Sequence, residues 1–266
     1  MKISTLAKLI SLPLEAYEAA LAYPFTEQMK KEGKRLCTQE ALFLDFCRKQ
    51  HQHRLFSLRL ILELAADIKD DYDALGIEER VYKDTFYDIT LWCQNCYATF
   101  HEWGIDEVIW LRFHICMEVF RLGRLAFQKI HLAKDIPAYH KKQGDEVIEI
   151  HVAQGEALVY EDCIRSLNQA LSFYHMKGAW FWGESWLLHP ALQKMLSKDC
   201  NILRFQSLFH IYEIDESCHQ GEERIFGGVM DIADYPETTS LQRNLKQYLL
   251  KGNTLGMARG IFYYHR

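Results

Sequence analysis

Glu149 and His151 stand two apart in the run Val147-Ile148-Glu149-Ile150-His151-Val152, where apolar and polar residues alternate. Successive side chains of a strand point to opposite faces. The carboxylate and the imidazole therefore share one face, while Ile148, Ile150 and Val152 share the other. Such a pair on an open sheet face can relay a proton from an ammonium group, and an ordinary solvent-facing strand carries the same pattern. Glu184-Ser185 follows the aromatic, strand-like run Ala179-Trp180-Phe181-Trp182 and Gly183. It offers a second carboxylate and a hydroxyl, or else a capping pair for the next helix. Trp180, Trp182 and Trp186 supply enough aromatic surface to line a cleft or to fill a core. Arg121 and Arg124 could grip a phosphate or carboxylate through two hydrogen bonds, or pair with Glu107 or Glu118.

An anion site is expected at Thr238-Thr239-Ser240, which opens an amphipathic helix running to about Leu250. One hydroxyl serves as the N-cap, and Arg243 lies within the first turn with no acid at the third helical position. Orphan N–H groups, the positive dipole end and a guanidinium then converge. The same residues also fit an ordinary cap with Arg243 on the solvent face. Cys93-x-x-Cys96 with His101 invites a zinc reading, but structural zinc takes four ligands from tight turns. Both cysteines fall inside a helical pattern beside Trp92, so they read as core thiols. His51 and His53, near Arg48, Lys49 and Arg54, read as a solvated cationic face. Gly-x-Ser-x-Gly, Walker A and His-Glu-x-x-His motifs are absent from the sequence, and no metal is expected.

These residues need a scaffold to hold them. The 266 residues are 49% hydrophobic and 25% charged, enough for a sizeable core without a disulfide or metal staple. The charges are 31 Lys+Arg against 36 Asp+Glu, a net of -5, which argues against a phosphate-backbone binder. Apolar runs such as Leu60-Ile61-Leu62 are broken by Glu63 and Asp67, so no membrane span is expected. The N-terminal run reads as the start of an amphipathic helix rather than a signal peptide. Eight scattered cysteines read as core residues of a cytoplasmic protein.

Up to residue 118 the apolar spacing is helical, with stripes such as Leu55-Leu58-Leu62-Ala65 and Val81-Phe86-Ile89-Cys93-Cys96. From about residue 119 the period changes. Strands are expected around Gly123, over 147–152, at 179–182, over 208–214 and 224–230, and at Gly260–Tyr264. Helices are expected over Leu158–His175, after Pro190 and after Thr239. The expectation is an α+β protein: a helical domain over 1–118 and a mixed, mostly antiparallel sheet domain with flanking helices over 119–266.

Several islands together resemble a bacterial two-domain family of N-acyltransferases, in which a helical domain precedes a GNAT-like domain. They are Leu75-Gly76-Ile77, Trp103-Gly104-Ile105-Asp106-Glu107, Trp110-Leu111-Arg112 and Phe120-Arg121-Leu122-Gly123-Arg124-Leu125. The series continues with Ile148–Val152, Ser185-Trp186-Leu187-Leu188, Asn201–Gln206, Thr239-Ser240-Leu241-Gln242-Arg243, Gly256 and Arg259-Gly260-Ile261. The resemblance implies acyl transfer from acyl-CoA or acetyl-CoA to a small-molecule amine acceptor. It also implies two splayed strands for the pantetheine arm, a base for the amine and a helix N-terminus for the pyrophosphate. On that reading Glu149, His151, Glu184 and Ser185 are the candidate catalytic residues. Thr239, Ser240, Arg243 and Trp186 are the candidates for holding the donor. The chain departs from the pattern at two places. The family's His before Ser-Trp-Leu-Leu is Glu184 here, which could still serve as a base. The Gln/Arg-x-x-Gly-x-Gly/Ala phosphate loop is missing, with only Gln220-Gly221 and Gly227-Gly228 as near misses. A GNAT-like module that binds ligand or protein without catalysis is the alternative.

Overall fold

The computed structural model describes residues 1–266. They divide into two compact units, Met1–Gln128 with Val152–Glu156, and Lys129–His151 with Ala157–Arg266.

The first unit is built on eight helices: α1 (Ile3–Leu9), α2 (Leu14–Ala22), α3 (Glu27–Leu36), α4 (Glu40–Arg48), α5 (His53–Asp67), α6 (Lys69–Ala74), α7 (Glu79–Phe100) and α8 (Val108–Ile115). Strands β1 (Val119–Leu122) and β2 (Leu125–His131) follow, paired antiparallel across Gly123-Arg124. Gly123 has φ of +79°, a conformation glycine adopts without strain and one suited to a two-residue hairpin turn. Helix α5 is the centre of this unit, because Phe56, Leu58, Leu60, Ile61, Leu62, Leu64, Ala65 and Ala66 are all buried. Its one polar stripe, Arg59, Glu63 and Asp67, is tied by ion pairs to itself and to Lys30 of α3, while the remaining faces belong inside a core. A buried polar knot ties α7 to α8: Asp88 accepts from Trp110 Nε1 at 2.9 Å and lies 3.2 Å from His114 Nε2. His114 Nδ1 is 3.0 Å from the Trp110 carbonyl, so both ring nitrogens face acceptors.

The second unit carries β3 (Glu146–Val152), α9 (Tyr160–Phe173), β4 (Gly178–Ser185), α10 (Asn201–Gln206), β5 (His210–Asp215), α11 (Gln220–Phe226), α12 (Ser240–Leu249) and β6 (Met257–His265). The six-stranded sheet runs β1-β2-β3-β4-β6-β5. The fold is therefore α+β, with a helical front and a mixed, mostly antiparallel sheet. Every residue of β4 is registered against β6, from Gly178↔His265 to Ser185↔Ala258. β3 and β4 are parallel, a relation that needs a crossover, here α9.

Two expected elements differ. Residues 224–230 are not a strand: Arg224, Ile225 and Phe226 finish α11, which Gly227 ends in the left-handed conformation. Phe226 stacks on Tyr235 with ring centres 3.8 Å apart, so its apolar face serves helix packing and not a ladder. The Pro190 segment is a 3-10 helix, Pro190–Lys194, too short for an α-helical run. No helix is long and apolar enough to cross a membrane.

Candidate functional site

Strands β3 and β4 register only at Ile148↔Phe181 and Glu149↔Trp182, although they have seven and eight residues. Beyond that point the two run on without a shared ladder. Ile150 and His151 face Gly183, Glu184 and Ser185 across a splay, and each strand edge presents backbone groups that a ligand with amides could use. On one side of β4 lie Phe181 and Gly183. Phe181 stacks on Phe262 at 5.5 Å, Phe209 abuts Phe262 at 4.8 Å, and Tyr264 donates to Asn168 of α9. The other side carries Trp180, Trp182 and Glu184, joined through the register by Glu149 of β3 and by Arg259 and Ile261 of β6. An apolar floor of Leu132, Ile136, Val147 and Ile261 underlies Trp180, Trp182 and Tyr212 there.

Glu149 is the chemically unusual group on that face. Its carboxyl is pushed up to about 7, first because burial disfavours the anion and then because the Glu184 charge lies nearby. His151 Nε2 is 3.7 Å from Glu149 Oε2. Glu184 is held by Arg259 at 2.6 Å, and the same guanidinium reaches Glu213 of β5. Lys134 also pairs with Glu213. Trp182 Nε1 donates to the Tyr212 hydroxyl at 2.7 Å, which fixes the indole against the floor. A carboxyl that titrates near neutrality can accept a proton at working pH and give it back, as a general base must.

Residues 119–262 match the family described as GNAT-like C-terminal domain, and residues 1–117 match the N-acyltransferase N-terminal domain. The chain belongs to this two-domain N-acyltransferase family. Three solved structures share the fold of this chain at 18% identity. An acyltransferase mutant in complex with octanoyl-CoA has a TM-score of 0.80, with 97% of this chain and 86% of that one covered. An acyltransferase in complex with decanoyl-CoA and teicoplanin has 0.78, with 98% and 87% covered. An acyltransferase in complex with CoA and 10C-Teicoplanin has 0.79, with 97% and 86% covered. The sequence finds no match among curated proteins.

In this chain Glu149, His151 and Glu184 come to one face beside the splay. Ser185 lies at the end of β4, where its Oγ accepts the Leu187 N–H at 3.1 Å and starts a 3-10 turn. Trp186 packs against a separate cluster containing Leu192, Tyr235 and Leu245. Thr239, Ser240 and Arg243 of the expected anion site lie together at the exposed start of α12. The first turn of α12 is closed by a capping box: Gln242 N–H donates to Thr239 Oγ1, and the Gln242 side chain accepts from the Thr238 and Thr239 N–H groups. Gln242 thus completes the box in place of an acid. Arg243 donates to the Glu237 and Thr238 carbonyls. Arg121 pairs with Glu156, not with Glu107 or Glu118. Cys93 and Cys96 are buried on α7, and burial raises both thiols. Sequence reasoning missed Arg259, Glu213, Tyr212 and Lys134 as site neighbours. The signal was the alternation of Arg259, Ile261 and Tyr263, which places Arg259 on one face of β6 but gives no hint of which strand it meets.

Proposed function

We propose that this chain transfers an acyl group from an acyl-CoA to a primary amine of a small-molecule acceptor. The observation that carries the reading is geometric: Glu149, a half-buried carboxyl that burial pushes up to about 7, stands where the parallel strands β3 and β4 stop sharing a ladder. On this reading the splayed edges of β3 and β4 hydrogen-bond the pantetheine amides of the donor. Glu149 takes a proton from the acceptor ammonium or the attacking amine. The amine nitrogen bonds to the thioester carbonyl carbon, a backbone N–H at the splay holds the developing oxyanion, and the carbon–sulfur bond breaks. The proton passes to the leaving thiolate, giving an amide and free CoA. Glu184, held by Arg259, keeps the Glu149 proton affinity high. The relatives' octanoyl- and decanoyl-CoA support a medium-chain donor, and the teicoplanin of one relative supports trying a bulky amine-bearing acceptor. The eight free thiols support a reducing compartment such as the cytoplasm.

The test is a thermal-shift panel of acetyl-, octanoyl- and decanoyl-CoA, followed by release of free CoA thiol with amine acceptors. Ligand at about 100 times its dissociation constant should stabilise the protein by roughly 2.7 kcal/mol. Wild type should release thiol in an acceptor-dependent way, and Glu149→Gln should bind donor but release little. A chain stabilised by no thioester would reject the transferase reading in favour of a non-catalytic binding module.

A further inference from the structure

The first unit holds a thiol pair unlike that unit's other cysteines. Cys37 ends α3 and Cys116 ends α8, and both are half-buried, whereas Cys47, Cys93 and Cys96 are fully buried. The Cys116 thiol lies 3.2 Å from the Cys37 carbonyl, and the two side chains hydrogen-bond to each other. The Arg112 guanidinium sits over both residues, donating to the Cys37 carbonyl at 2.8 Å and lying 3.6 Å from Cys116 Sγ. Glu40 and Glu118 approach the same guanidinium at 3.6 and 3.7 Å, so the cation is only partly neutralised. Lys34, one turn back on α3, adds a second positive charge, and its carbonyl accepts the Cys37 thiol at 3.0 Å. With Cys116 as donor and Arg112 and Lys34 as cations, the Cys37 thiol falls to about 7, while its partner rises. A low thiol in contact with a high one is the arrangement of an attacking and a resolving cysteine.

We propose that Cys37 and Cys116 form a peroxide-responsive dithiol that closes to a disulfide between the ends of α3 and α8. The Cys37 thiolate attacks one oxygen of hydrogen peroxide, the O–O bond breaks, and after protonation one water leaves a sulfenic acid on Cys37. The Cys116 sulfur then attacks the Cys37 sulfur, the S–O bond breaks, and a second water departs. Two electrons have passed from the two thiols to the peroxide, and an excess of a small dithiol returns them.

Three measurements on the 266-residue chain decide this. Native protein treated with one equivalent of hydrogen peroxide, alkylated and digested should yield a peptide cross-linked between Cys37 and Cys116 as the main oxidised product, lost on reduction. In Cys116→Ser, Cys37 should instead persist as a sulfenic acid that dimedone traps. Reduced protein should alkylate first at Cys37 at pH 7, about threefold faster than glutathione: the thiolate fraction rises about 15-fold, and lower intrinsic nucleophilicity takes back most of it. Should Cys116→Ser fail to fold, the wild-type digest stands alone. A dominant cross-link elsewhere, or Cys37 recovered unoxidised or as sulfinic acid without the cross-link, overturns the proposal.

Discussion

The neutral-range carboxyl of Glu149 has an energetic cost that can be measured without any substrate. Raising a glutamate from 4.5 to about 7 means that the folded chain binds its proton more tightly than the unfolded chain. Stability is therefore lost as pH rises from about 4.5 to about 7, and by pH 8 the loss is about 3 kcal/mol in full. Between pH 5 and pH 8 the wild type should give up about 2–3 kcal/mol on account of this residue. Glu149→Gln, which keeps the shape and removes the titration, should not. The assay is urea unfolding of both proteins at pH 5 and pH 8, followed by tryptophan fluorescence. Groups that titrate alike in both proteins cancel in the double difference. Glu149→Gln should be the more stable protein at pH 8 and should lose most of that advantage at pH 5. The kcat/KM of the wild type should rise with pH through a midpoint near 7, because the base must be ionised to act. A double difference below about 0.5 kcal/mol would refute the claim that Glu149 is buried and unpaired enough to titrate near 7.

Arg259→Met leaves the Glu184 charge uncompensated beside Glu149, so the midpoint of the kcat/KM profile should move to higher pH; an unmoved midpoint would remove Arg259 from the positioning of the base. Arg243→Ala should leave donor affinity within about twofold, since Arg243 already serves two backbone carbonyls; a tenfold loss by calorimetry would restore α12 as the phosphate site. Asp88→Asn strips the buried His114 and Trp110 of their shared anion and should lower unfolding stability by about 3 kcal/mol or more, read by urea denaturation. Gly256→Ala puts a Cβ 1.9 Å from the Asp215 carbonyl oxygen, a clash with backbone that no rotamer relieves; soluble yield or Tm should fall sharply, and a Tm equal to wild type would mean that β5 and β6 part more easily than drawn.

Much of the architecture was legible because it rests on local period. The α5 and α7 stripes, the alternation of β3 and the aromatic run of β4 each declare their element within about ten residues. Residues 224–230 misled because Ile225 and Phe226 are apolar, whereas the decision between strand and helix was made by Tyr235 stacking from outside the window. The shared face of Glu149 and His151 followed from spacing alone. Its link to Glu184, Arg259 and Glu213 could not, since it depends on three strand registers, one with a bulge between Ile211 and Glu213. The start of α12 was half legible: Thr239 follows as the cap from its residue type, whereas the Gln242 amide oxygen that accepts from the Thr238 and Thr239 N–H groups carries no charge to announce it.

The splay also places two strand edges inside a sheet. Unpaired edges invite other extended chains to add to them, and sequences commonly guard such edges with charge. Here the guard is Glu149 on one lip and Glu184 on the other. With Glu149 ionised, its charge and that of Glu184 repel and oppose zipping of β3 onto β4; once Glu149 takes a proton that repulsion is gone. Colloidal behaviour should therefore track the same carboxyl as the chemistry, with self-association by strand addition most pronounced in mildly acidic solution and least when the gap is filled by a ligand whose own amides complete the sheet.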